Sequence, residues 1–176
     1  HAVYINDMEF GYQPVPKGWV WEDIGNYYGA GAWGFNWREN HFKLTLKPAL
    51  KQGDPAAIIA TDPLWLKEHI TNFVTTGEKG TGDQTSIYSS PYQTRLFIQG
   101  TIGMGVEQAV ISGAMPDPAE AFGFELQHYF SANNIHVDTF YRYSALRRSG
   151  AAVPSYSFTL TDTIQSPVYA AMDYWF

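Results

Sequence analysis

Along residues 40–48 the sequence NHFKLTLKP alternates without a break. Phe42, Leu44 and Leu46 fall to one side, Lys43, Thr45 and Lys47 to the other. A period of two sends alternate side chains to opposite faces of an extended chain, so this is a half-buried strand, closed by Pro48. The opening HAVYIND reads as a short strand with Val3 and Ile5 opposite Tyr4. Further on, AAIIAT, HITNFVTT (through Ile70, Asn72 and Val74), SIYSS, TRLFIQGTIG and EQAVIS keep writing strands. Strands at such spacing predict a small sandwich or barrel. Residues 11–18 (GYQPVPKG) and 77–85 (GEKGTGDQT) are loops by their Gly and Pro content, the second of the kind found at a hairpin tip.

The period changes at residues 115–134, MPDPAEAFGFELQHYFSANN. Asp117 is a natural N-cap, Pro118 suits the first helical position and Glu120 completes a capping box. Ala119, Phe122, Leu126, Tyr129 and Phe130 then recur at helical spacing as one apolar stripe. Asn133 and Asn134 end the helix, and IHV after them reads as a strand. SYSFTLTD is another strand, and Ser166-Pro167 opens a second helix, VYAAMDYWF, inside which the chain stops. A chain that ends on an apolar helix face reads as a fragment. No internal repeat or low-complexity tract is present.

At 176 residues the chain is long enough for one domain or two small intertwined ones. Aromatic residues reach 16%, which fits rings filling sheet faces or, alternatively, a saccharide-facing surface. The net charge is -6 and the only basic pair is Arg147-Arg148, so no basic stripe exists for nucleic acid. With no cysteine, disulfides and thiol chemistry are excluded. No apolar run approaches the roughly 18 residues of a membrane span, and none reads as a signal peptide. If the protein is exported, its targeting segment lies outside this chain.

Residues 29–34, GAGAWG, spell the G-x-G-x-x-G of a dinucleotide loop. That loop needs a buried strand before it and a helix opening after it. EDIGNYY before it shows no alternation, and FNWRENHFKLTL after it runs into a strand. The glycines therefore serve tight turns among bulky rings, and no nucleotide or other cofactor is expected.

His1 at a free amino terminus could clamp copper with help from His41, His69, His128 or His136, but these show no close ligand spacing. The carboxylate pairs are Asp7/Glu9, Glu22/Asp23 and Asp117/Glu120. The last is explained by helix capping, and the others are expected in exposed loops. A penicillin-type serine nucleophile needs Lys three residues on, so that the amine can take its proton. No serine here has one. Ser144 has Arg147 instead, and a guanidinium cannot act as the base. Ser131-Ala132-Asn133 spells S-x-N where a helix ends, and EKGTG lies in a loop; neither is taken as catalytic.

GWVWEDIGNYYGAGAWGFNWRENHF, residues 18–42, resembles a segment of the low-molecular-mass class C penicillin-binding D-alanyl-D-alanine carboxypeptidases/endopeptidases: W-x-W-x-D-x-G-N-Y-Y-G-A followed by N-x-x-x-N-x-F. INDMEF resembles the strand ending in Asp and Phe that precedes it. RLFIQGTIG, AMPDPAEAFGFELQHYFSANNIHVD (with Asn134 where glycine is usual) and IQSPVYAAMDYW resemble later segments in the family's order. The resemblance implies an α+β chain, in which a β-rich subdomain (48–112) is nested in a partial Rossmann-like α/β layer (1–47 and 113–176). In that family the catalytic motifs flank this region, so it implies no catalytic residue here, and the residue spacing offers no metal or cofactor residue either. It further implies a periplasmic or cell-surface parent that trims peptidoglycan peptides. The expected partners are the parent's catalytic domain and the wall, with self-association possible through a sheet edge left open. The rival reading is a carbohydrate-binding module that uses Trp19, Trp21, Trp33 and Trp37 as stacking platforms.

Overall fold

The computed structural model describes residues 2–8 and 13–152. His1, the strand expected at 155–162 and the helix expected from Ser166 lie outside the described residues. The elements begin with β1 (Ala2–Ile5) and a single helical turn, α1 (Trp21–Ile24). Six strands follow: β2 (His41–Lys47), β3 (Ala57–Asp62), β4 (Ile70–Gly77), β5 (Asp83–Tyr88), β6 (Leu96–Gly103) and β7 (Ala109–Ala114). The chain then forms α2 (Pro118–Ala132), β8 (Thr139–Arg142) and α3 (Tyr143–Arg148).

β2 is the centre of an antiparallel sheet ordered β3-β2-β7. A second sheet is ordered β4-β6-β5, with β4 parallel and β5 antiparallel to β6. The alternation along β2 becomes its burial pattern: Phe42, Leu44 and Leu46 are at most 1% exposed, while Lys43 and Lys47 face water. Ile111 of β7 joins them, as do Val74, Ile87, Ile98 and Ile102 from the second sheet, so both sheets share one hydrophobic cluster. Each such side chain contributes about 1.5–3 kcal/mol by leaving water. The third sheet is the parallel pair β1-β8. Helix α2 lies against it, with Gly123 close to Ile5 and the Phe130 ring 6.4 Å from Phe140. The architecture is mixed α/β with several sheets.

The structure corrects several expectations. The loop after β4 is not a hairpin tip, because β6 lies between β4 and β5. Glycine and polar content marks a turn but not which strands it joins. IHV is not a strand; pairing begins at Thr139, where β8 meets β1. Tyr129 points out of the α2 stripe and is exposed. The short α1 and α3 carried no readable period, since fewer than two turns cannot show one.

Candidate functional site

The N-Y-Y-G-A block is built as a tight turn, Tyr27–Gly29, between α1 and the aromatic segment after it. Asn26 is buried. Its amide donates to the Glu22 carbonyl, and its side-chain oxygen accepts from the Ile87 backbone N–H at 3.1 Å, tying the turn to β5. A Cβ on Gly25 would sit 2.1 Å from the Ile87 carbonyl oxygen, and one on Gly29 would sit 2.0 Å from that of Asp23. Gly31 would meet the Pro14 carbonyl oxygen at 2.7 Å. The glycines of GAGAWG thus permit backbone to approach backbone, and beyond Gly34 the chain enters the turn leading to β2.

That turn is unusual. Arg38, Glu39 and Asn40 all have φ between 55° and 57°, a left-handed conformation that costs an L-residue about 1–2 kcal/mol each. Side chains hold it. The Asn40 amide donates to the Gly31 carbonyl (3.1 Å) and to Asn36 Oδ1 (2.6 Å), and Asn40 Oδ1 accepts from the Trp37 N–H (3.2 Å). Arg38 is anchored on Glu125 of α2 and on Asp62, each at 2.8 Å. The two asparagines of N-x-x-x-N-x-F therefore shape the entry into β2.

Tyr27 and Tyr28 are left exposed, 55% and 57%, with their rings edge to face at 5.2 Å. They border a polar pocket of about 360 Å³ with Asn26, Asp83, Thr85 and Ser112, at the seam where β5 meets β7. Asp83 accepts from the Thr85 N–H (2.8 Å) and hydroxyl (2.6 Å).

A second constellation lies where β1, β8 and the start of α2 converge. Arg142 donates from Nη2 to Asp7 (2.8 Å) and from Nη1 to Asp117 (2.7 Å) and Glu120 (3.3 Å). Asp7 also accepts from the Ser144 N–H (2.8 Å) and hydroxyl. Asp7 was expected in an exposed loop; two residues past β1 it is buried, held by Ser144 and Arg142. Asp117 Oδ1 accepts from the Glu120 N–H at 3.0 Å, which is the anticipated N-cap. The Glu120 carboxylate goes to Arg142 instead of closing a capping box. Burial alone would raise the Asp7 carboxyl, but the Ser144 hydrogen bonds and Arg142 outweigh it and hold it below the ordinary aspartate value. Glu120 moves the other way, pushed up by burial and then by the Asp117 charge, against weaker pulls from Arg142 and His69.

A raised folded pKa means that the charged form is disfavoured in the fold. The cost is present above the folded value and absent once both states are protonated. Glu120→Gln is thus expected to leave stability unchanged below about pH 4. Above its raised folded value it should raise stability by less than ~1 kcal/mol, a modest gain because solvent screens this partly exposed side chain. Thermal melts of both proteins from pH 3 to 8 check this, and a destabilised variant at neutral pH would contradict it.

The four tryptophans singled out as platforms do not form one surface. Trp33 is buried, its ring against Tyr92 at 4.9 Å. Trp37 packs on Phe122 and donates from Nε1 to Glu125 at 3.1 Å. Trp19 and Trp21 are the exposed pair, and Trp21 lies 6.1 Å from Tyr88. His41 bonds the Tyr27 carbonyl, His69 sits against Trp65, and His136 pairs with Asp138. His128 lies on α2 in a separate groove with Leu64 and Phe124. Among the described residues, no group of three or more His, Asp or Glu is placed to hold a metal ion. Asn133 caps α2 by donating to the Tyr129 carbonyl, and the Ser144 hydroxyl is held by a carboxylate. Sequence reasoning missed Arg142 and Arg38 as organising residues. Their partners lie far along the chain, and no spacing rule reaches them. No helix among the described residues is long and apolar enough to cross a membrane.

The model of the D-Ala-D-Ala carboxypeptidase 3 (S13) family matches residues 2–153. No curated protein matches the chain. The crystal structure of penicillin binding protein 4 (dacB) from Haemophilus influenzae is similar with a TM-score of 0.60 and 13% identity, over 81% of this chain and 31% of that one. Another structure of the same protein, complexed with a novel β-lactam, aligns at a TM-score of 0.44 and 13% identity, over 61% of this chain and 24% of that one. The chain therefore spans about a third of the solved relative's length, and the likeness is one of fold.

Proposed function

The chain belongs to the D-Ala-D-Ala carboxypeptidase 3 (S13) family, and from that premise we propose that it is an accessory, non-catalytic region of a peptidoglycan D-Ala-D-Ala carboxypeptidase/endopeptidase. The observation that carries this reading is the absence of any serine with a lysine one helical turn away, in a chain that otherwise follows the family along residues 2–153. In the serine-lysine chemistry of penicillin-type enzymes the hydroxyl passes its proton to an amine one helical turn away, and no serine here has that partner. Ser144, the serine with Arg147 in the lysine's place, is buried and its hydroxyl donates to the Asp7 carboxylate, a structural bond that ties α3 to the end of β1.

In this reading residues 48–112 are a small β domain nested in a Rossmann-like layer made by 1–47 and 113–176. The parallel pairing of β1 with β8, with α2 against it, supports the outer layer. The two sheets that share one core fit a compact β unit, but its central strand β2 (His41–Lys47) belongs with them, so the inner unit takes in residues before 48. The β1-β8 pair leaves room for further strands at its edges, either from the rest of the protein or from a second copy. The parent works in the periplasm or at the cell surface, and the region steadies its catalytic domain and meets the wall.

Labelling the whole protein with a fluorescent penicillin, followed by proteolysis and peptide mapping, tests the proposal. The label is expected on a serine outside this region. An adduct on any serine of this chain would overturn it.

A further inference from the structure

The outer face of the β4-β6-β5 sheet is unusual in an acidic protein. Its nine outward positions are 71, 73 and 75 on β4, 97, 99 and 101 on β6, and 84, 86 and 88 on β5; they hold Thr, Phe, Gln, Ser and Tyr, and not one acidic or basic side chain. An aromatic row crosses it. Phe97 and Tyr88, directly opposite each other, stack in parallel at 4.8 Å and 6°, and Gln99 donates to the Tyr88 hydroxyl at 3.3 Å. Phe73 meets Phe97 edge to face at 6.4 Å, remains 61% exposed, and has Gln99 as its cross-strand neighbour. The stack covers one face each of Phe97 and Tyr88, and Tyr88 also meets Trp21 at 6.1 Å; Phe73 is the most exposed ring of the row, flanked by an amide and by threonine hydroxyls.

Two further facts narrow the occupant. The outer edge of β4 is already taken: Gly53 and Ala56 donate to the Thr76 and Val74 carbonyls, and Thr76 donates to Asp54. A peptide therefore cannot add as a strand along β4 there, and on that side recognition falls to the face. Three strands ~4.8 Å apart and about six residues long at ~3.3 Å each present roughly 300 Å². That is well below the roughly 800 Å² per partner of a stable protein interface. A small, flat face without charged side chains, with an exposed ring and a fringe of amide and hydroxyl groups, suits an extended ligand rich in hydroxyl and N-acetyl groups.

We infer that this face seats the glycan strand of the cell wall, with a sugar ring packed on Phe73 and its polar substituents on Gln99 and the threonines. The inference rests on the wall-enzyme reading for its ligand but not on where the chemistry occurs. The test uses the whole protein and two probes, the neutral N-acetylglucosamine tetramer and glycan strands stripped of peptide by an amidase, which carry a lactyl carboxylate on every second sugar. Binding is followed by co-sedimentation and by calorimetry. Phe73→Ala, at an exposed position outside the core, and Gln99→Ala are each expected to weaken binding at least fivefold. Both should leave penicillin labelling and hydrolysis of a soluble pentapeptide unchanged. Equal binding by wild type and the double variant would overturn the inference, as would no binding to either probe. Concentration-dependent self-association lost in Phe73→Ala would also overturn it, by assigning the face to a second copy. Absence of penicillin labelling in the wild-type protein would instead count against the parent-enzyme reading, whatever the glycan data show.

Discussion

Replacing Arg142 by alanine is expected to destabilise the fold by about 3–5 kcal/mol, a large fraction of a domain's stability. The guanidinium sits between Asp7 and Asp117, both nearly inaccessible, and bonds each within 2.8 Å. Its loss leaves two carboxylates buried beside each other with no cation, and beside Glu120, whose pKa is already raised. Urea unfolding at pH 7 reads the effect, and an unchanged midpoint would show that the cluster carries no stability. The acid limb gives an independent check. Asp7 has a folded pKa below its unfolded one, so its contribution is present above about pH 4 and is lost as pH falls through the folded value. Asp7→Asn should therefore flatten the loss of stability below about pH 4 while lowering stability at pH 7.

Gly29→Ala is expected to cost about 3 kcal/mol or more, at or beyond the upper end of ordinary overpacking, because the obstacle is backbone and cannot rotate away. The added carbon would lie 2.0 Å from the Asp23 carbonyl oxygen and 2.8 Å from Ile24 Cα. Gly123→Ala is the control. It lies within α2, its nearest neighbour would be Ile5 Cδ1 at an ordinary 3.5 Å, and alanine is the better helix former by about 1 kcal/mol. It should be neutral or slightly stabilising. Circular dichroism melts of both variants decide the matter, and a Gly29→Ala protein that melts with wild type would mean the close approach is not real. If the glycines instead cradled a phosphate, Gly29→Ala would leave the apo protein's melting temperature in place and alter only nucleotide binding.

Much of the strand pattern was legible because its signal is local. The alternation of Phe42, Leu44 and Leu46 could be satisfied only by a strand with one wet face, and the structure buries those three and exposes Lys43 and Lys47. The Asp117-Pro118 start of α2 was equally plain, since a cap and its helix are adjacent in sequence. The family segments were legible as text, yet their physical reasons were not. Asn26 was only a letter in N-Y-Y-G-A until Ile87, far along the chain, appeared as its partner. The four tryptophans looked alike in composition, and packing separated them: Trp33 into the core, Trp19 and Trp21 to the surface.

The sequence by itself determined which stretches extend or coil, that no serine here has a lysine to take its proton, and which family the chain resembles. All three rest on neighbours within a few residues. Only the tertiary structure decided that β6 separates β4 from β5 and that Asp7, Asp117 and Glu120 gather on Arg142. It alone decided, too, that Phe73 stands exposed on a face without charged side chains. Those outcomes depend on pairs of residues distant in the chain, whose meeting is fixed by register and by the burial of one shared core, and no local pattern encodes which pairs will meet.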